Sequence, residues 1–169
     1  MLGFILDRWR LFAGLASAAM LATAHGFERI GGYAPCYLCY KQREVYWVAL
    51  AVTLVSMALV RLRNDPRLRQ ATCWLLAVIF LASAGVAIYH AGAEWKFWPG
   101  PEHCMAARGP MTVEDLSAML NGTVPLKPPA CTEAAWVFAG LSMAGWNAVG
   151  SLVLAGLSGL AARRAGRPA

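Results

Sequence analysis

Five cysteines hold most of the chemistry available to this chain: Cys36, Cys39, Cys73, Cys104 and Cys131. The first two form a C-x-x-C, Cys36-Tyr37-Leu38-Cys39. A bridge across so small a loop removes little chain entropy and adds little stability. The spacing suits a redox pair, which opens and closes without unfolding anything. Half of a zinc site is the competing chemistry. Zinc takes four ligands, typically two C-x-x-C units or one with paired histidines. Here the remaining candidates are Cys104, Cys131 and the scattered His25, His90 and His103, so no metal is expected.

Cys104 and Cys131 stand 27 residues apart in a proline-rich segment. Loops of that length gain from cross-linking, so a structural clasp is one reading. A second exchangeable disulfide, exposed to a soluble protein, is the other. Cys73 sits at the end of an apolar run and reads as an inert small apolar residue.

The elements that must position these cysteines are apolar runs. The chain has 169 residues, 59% apolar and only 14% charged, against about 25% charged in a typical soluble domain. Leu11–Phe27, Val45–Val60, Gln70–Ala93 and Ala134–Ala162 contain no Lys, Arg, Asp or Glu. A spanning helix needs roughly 20 mainly apolar residues, within a range of about 17–25. Leu62 extends the second run, and Arg43 and Arg61 can snorkel from its ends. Buried helices of a soluble bundle would show a polar face with helical period. Leu75–Ala82 shows none. The expected spans are about 10–27, 42–62, 71–91 and 134–160, with outer loops at about 28–41 and 92–133. Tyr46, Trp47, Trp74, Tyr89, Trp95, Trp98 and Trp136 lie near the run ends, where aromatic rings favour the headgroup zone.

Charge orients the bundle. The formal net charge is +6, but the basic residues form no patch suited to nucleic acid. Arg8 and Arg10, then Arg61, Arg63, Arg67 and Arg69, then Arg163, Arg164 and Arg167 flank the runs. The positive-inside rule puts both termini and the Arg61–Arg69 link in the cytoplasm. Glu28–Glu44 and Glu94–Glu133 then lie outside, with four of the five cysteines. Cysteines on the oxidising side normally pair, which suggests Cys36 with Cys39 and Cys104 with Cys131. Arg8, Arg10 and Ala22-Thr23-Ala24 also resemble a cleavable signal. Cleavage would remove the first helix but move no cysteine across the membrane; a retained helix is expected.

Pro35 precedes the C-x-x-C and an apolar run follows it, so the motif opens a helix at the outer face. A helix N-terminus carries partial positive charge and favours a thiolate. Arg43 lies one turn beyond Cys39 on the same face. It reads either as an interfacial anchor or as a guanidinium serving Cys39 and an oxygen-bearing ligand beside it. His90 reads either as an interfacial polar residue or as a hydrogen-bond donor to a quinone carbonyl. The long outer segment holds six of the nine prolines and is mostly loop. One short amphipathic helix fits inside it. Thr112 would cap it, Val113, Leu116, Met119 and Leu120 would form its apolar face, and Asn121-Gly122 would stop it.

Together these residues resemble the bacterial disulfide bond formation protein B (DsbB) family over nearly the whole chain. The resemblance rests on Pro35-Cys36-Tyr37-Leu38-Cys39 with Gln42-Arg43, Tyr89-His90-Ala91-Gly92, Trp98-Pro99-Gly100-Pro101, Cys104 and Cys131. Gln42 stands where some members carry an acid. The resemblance implies an all-α membrane protein, with residues 1–169 as a single four-helix transmembrane domain in the bacterial inner membrane. Its long periplasmic loop would carry the short amphipathic helix. It implies a thiol:quinone oxidoreductase that serves a periplasmic DsbA-like oxidase of thioredoxin fold. Cys36, Cys39, Cys104 and Cys131 would be catalytic. Arg43 and His90 would hold ubiquinone or menaquinone. A vitamin K epoxide reductase-like enzyme is the alternative, although its C-x-x-C usually sits on a late helix. A membrane scaffold with structural disulfides is the other.

Overall fold

The computed structural model describes residues 2–63, 65–101, 113, 117, 121 and 131–166. Cys104 lies outside the described residues, as does the expected loop helix apart from isolated positions. In chain order the elements are α1 (Leu2–Asp7), α2 (Trp9–Arg29), α3 (Tyr37–Arg63), α4 (Pro66–Glu94), β1 (Val137–Phe138), β2 (Leu141–Ser142) and α5 (Met143–Ala165). Three described helices, α3, α4 and α5, are long and apolar enough to cross a membrane. Ala, Gly, Ser and Thr fill much of the 21-residue α2.

Local sequence starts and stops these helices. Pro66 occupies the first turn of α4, where its missing N–H costs nothing. The Asp65 carboxylate accepts the Arg67 amide at 2.8 Å, capping the same turn. Ser142 caps α5 by accepting the Gly145 amide at 3.1 Å.

The described helices pack through small residues. Steps of four and three along α5 bury Ala144, Ala148, Ser151, Ala155, Ser158 and Ala162. α4 buries Ala77, Ser83, Ala84 and Ala87. Small side chains let helix backbones approach, which replaces the hydrophobic drive that lipid cannot supply. The α4–α5 pair makes the most extensive helix contact. Hydroxyls join the helices: Trp9 Nε1 donates to Ser158 Oγ at 2.8 Å, and Ser151 Oγ to Ser83 Oγ at 2.9 Å. Leu76 and Phe80 fill the centre and are fully buried.

Three expectations change. The last run is not helical from residue 134: Val137↔Ser142 and Phe138↔Leu141 pair as an antiparallel ribbon, and α5 begins at Met143. The turn between them, Ala139-Gly140, has both φ positive (50° and 79°), which breaks the helix and favours a tight hairpin. The described part is therefore helical with one small β-ribbon. Second, Tyr46 is 3% exposed, and its hydroxyl bonds Asn147 and Ser151. It belongs to the core, not the headgroup zone, because a polar partner waits on α5. Third, Arg43 does not snorkel outward; its side chain turns towards α2.

The end of α4 is clamped by the loop that follows. Trp98 Nε1 donates to the Tyr89 carbonyl at 2.8 Å, and the two rings stack at 5.9 Å. Trp98 lies so close over Gly92 that a Cβ there would stand 2.0 Å from its ring. Gly92 is the residue that makes room.

Candidate functional site

Cys36 and Cys39 open α3 as the sequence suggested. Cys36 sits just before the helix, and its Sγ accepts the Cys39 amide at 3.3 Å, doing the work of an N-cap side chain. The two Sγ atoms are 2.8 Å apart, and both residues are free thiols. Cys36 is 3% exposed, whereas Cys39 is half-buried. The hydrogen bond with Cys39, together with burial, pushes the Cys36 thiol above its ordinary value. Cys36 therefore keeps its proton while the less buried Cys39 faces the ligand space.

His90 is buried against this pair. Its Nε2 lies 3.5 Å from Cys36 Sγ and 3.7 Å from Glu94 Oε1. Its Nδ1 is 2.8 Å from Gln42 Nε2. Asn147 Nδ2 donates to Gln42 Oε1, and Tyr46 donates to Asn147 Oδ1. A polar chain from α5 thus holds the imidazole. With the Gln42 amide donating, Nδ1 accepts and Nε2 carries the hydrogen towards sulfur.

Arg43 is tied to the end of α2. Its Nη1 pairs with Glu28 Oε2 and its Nη2 donates to the Ala24 carbonyl at 3.0 Å. The guanidinium in turn holds the Glu28 carboxyl below the usual carboxylate range.

Cys131 is disulfide-bonded and 1% exposed. It packs in one buried cluster with Cys36, Leu38 and Cys39. Cys73 is free, buried in the main core, and remote in chemistry from the others.

A cavity of about 480 Å³ opens beside the Cys36–Cys39 dithiol. Cys36, Cys39, Arg43, His90 and Glu94 line one side, and apolar side chains such as Phe27, Trp136 and Trp146 line much of the rest. Two enclosed polar side-chain atoms among the described residues lack a hydrogen-bond partner: Arg43 Nε and Glu94 Oε2. Both belong to residues of this wall. With polar side chains on one side and apolar ones around the rest, the cavity fits a flat, mainly apolar ligand that carries oxygen. A quinone answers that description. Sγ of Cys36 and Cys39 and a nitrogen of His90 also lie within 4.8 Å of one another, a soft-metal donor set in principle.

Sequence reasoning missed Glu28, Glu94 and Asn147. Glu94 carried one available signal, its place one turn beyond His90 on the same helix face. Glu28 and Asn147 are brought in from other helices and left no mark in local spacing.

The described helices and the buried dithiol define a membrane protein of thiol–disulfide chemistry. A family model for "Disulfide bond formation protein DsbB" matches residues 7–161. The chain belongs to the disulfide bond formation protein B (DsbB) family, and a disulfide oxidoreductase role follows from that membership. Among curated relatives, disulfide bond formation protein B of Marinobacter nauticus is 32% identical over 144 residues, 80% of this chain and 79% of that protein. The protein of the same name from Aromatoleum aromaticum is 31% identical over 160 residues, 88% of this chain and 89% of that one. No solved structure matches the chain.

Proposed function

We propose that the chain reoxidises a periplasmic DsbA-like disulfide oxidase and passes the electrons through two cysteine pairs to membrane quinone. The observation that carries this reading is the free Cys36–Cys39 dithiol in the wall of an apolar cavity, with Cys131 packed beside it. The partner's thiolate attacks Cys104 and displaces the Cys131 thiolate; the partner's second thiolate then cleaves the mixed disulfide, which releases the oxidised partner and leaves Cys104 and Cys131 as a dithiol. Exchange with the Cys36–Cys39 disulfide then restores the Cys104–Cys131 bond and leaves the first pair as a dithiol. Cys39, beside Arg43, gives two electrons to the bound quinone while Cys36 closes the disulfide on Cys39. Ubiquinone and menaquinone both meet the chemistry of the cavity. Bound there, either supplies a two-electron acceptor with two ring oxygens.

The same reading makes α2 the fourth span, puts both termini in the cytoplasm and puts both cysteine pairs in the periplasm. The lipid bilayer is then the permanent partner of α2 to α5. The testing experiment mixes the purified protein with a short-chain ubiquinone and a reduced thioredoxin-like oxidase. Quinone reduction in step with partner oxidation is expected. Partner oxidation without quinone reduction would overturn the reading.

A further inference from the structure

We propose that Glu94 is the second oxygen contact of the bound quinone and the proton donor for its reduction. This rests on the reading of the cavity as a quinone site. The two unpartnered enclosed atoms, Arg43 Nε and Glu94 Oε2, are the observation that points to it. A quinone has two oxygens on opposite sides of one ring. One accepts from Arg43 Nε–H, which needs an acceptor. The other meets Glu94.

Glu94 is built for that contact. Its side chain is 6% exposed, it closes α4 at the cavity wall, and no cation partner is paired with Oε2. The Ser142 hydroxyl hydrogen-bonds the Glu94 carboxyl, and an enclosed charged oxygen left without a partner, as Oε2 is, is costly. With a proton on Oε2 the same group becomes a donor, and a ring oxygen is the acceptor it lacks. His90 Nε2 stands between Glu94 and the dithiol, 3.7 Å from Oε1 and 3.5 Å from Cys36 Sγ.

The balance closes within one turnover. The dithiol loses two electrons and two protons as the Cys36–Cys39 bond forms, and the two ring oxygens gain both protons. Glu94 gives the proton on Oε2 to the oxygen it faces. The thiol proton of Cys36 leaves to water as its sulfur bonds Cys39 Sγ, with His90 Nε2–H donating to that sulfur, and the Glu94 carboxyl is restored from water. The Cys39 proton goes to water when its thiolate forms, and returns from water to the oxygen at Arg43.

The test uses the full-length protein in lipid nanodiscs with a short-chain ubiquinone. Mixing reduced protein with quinone brings the Cys39 thiolate against an electron-poor ring, which absorbs in the visible by charge transfer. Glu94→Gln keeps the shape and a donor but has no proton to give. The absorbance should form as in the parent and decay about 100-fold more slowly, the scale of a lost general acid. Glu94→Asp should recover part of the decay rate. Decay at the parent rate in Glu94→Gln would overturn the proposal. So would loss of the absorbance in Glu94→Gln with its retention in Glu94→Asp, which would make Glu94 a binding residue only. Absence of the absorbance in the parent, with no quinone bound, would overturn the quinone reading itself and the proposal with it.

Discussion

His90 Nε2 lies 3.5 Å from Cys36 Sγ, although 54 residues separate the two in the chain. The contact gives the buried thiol a polar neighbour, and the neighbour is itself held by Gln42 at 2.8 Å. His90→Ala should therefore slow closure of the Cys36–Cys39 disulfide. Cys36 must lose its proton to close on Cys39, a hydrogen bond to the charge that then develops contributes about 1.5–3 kcal/mol, and about 1.36 kcal/mol is tenfold in rate. Rapid-mixing kinetics should show quinone-driven closure slowed by about 10- to 100-fold. Exchange at Cys104 and Cys131 should be unchanged; equal slowing of both would assign His90 a structural role.

Arg43→Ala should reduce quinone use by about one to two orders of magnitude, by the same hydrogen-bond arithmetic. Arg43→Lys should restore part, since charge remains and the planar fork is lost. Normal quinone reduction in Arg43→Ala would make Arg43 an anchor and move the quinone elsewhere. The Glu28 pair supplies a pH signature. Its folded value is lowered, so the pair's contribution is present above the ordinary carboxylate value, about 4.3, and is lost as pH falls through the lower folded value. Carboxyl carbon NMR of Glu28 should titrate below that ordinary value in the parent and shift up towards it in Arg43→Ala.

Cys104→Ala should abolish oxidation of the partner and leave Cys36 and Cys39 able to be reoxidised by quinone. The reason is that each pair handles one exchange. A thiol count after quinone addition, set beside partner oxidation, separates the two steps. Partner oxidation at the normal rate would break the relay order.

Opposite ends of the bundle should react from opposite sides of the membrane. Val137 and Leu62 are both exposed, at 57% and 81%, and lie at the two ends of the charge pattern. Introduced in a background without native cysteines, Val137→Cys should react with an impermeant reagent in spheroplasts, and Leu62→Cys only in inverted vesicles. The reverse result would invert the topology. Native Cys131 is a poor reporter, because it is buried.

Gly92→Ala should destabilise the end of α4. The new Cβ falls 2.0 Å from Trp98, so the indole must leave the Tyr89 carbonyl it now bonds. Overpacking of this kind costs about 1–3 kcal/mol. A lower Tm is expected, with slower quinone reduction, since His90 and Glu94 share that last stretch of helix. An unchanged Tm would show that Trp98 moves aside at no cost.

Apolar run length determined α3 and α4 in advance, because lipid leaves a spanning backbone no option but to satisfy itself along a helix. Pro35 and the run after Cys39 put the C-x-x-C at a helix start, and helical period put Arg43 one turn beyond it. The hairpin at Val137–Ser142 was hidden, because Val, Phe, Ala, Gly and Leu are equally apolar in a ribbon and in a helix. Only the tertiary structure decided that Cys36 meets His90, that Arg43 is tied to Glu28, that Asn147 reaches Gln42, and that Cys131 packs beside the first pair. Each of those contacts depends on how one helix is rotated and set in height against another. A hydropathy pattern with almost no polar face carries no record of that rotation.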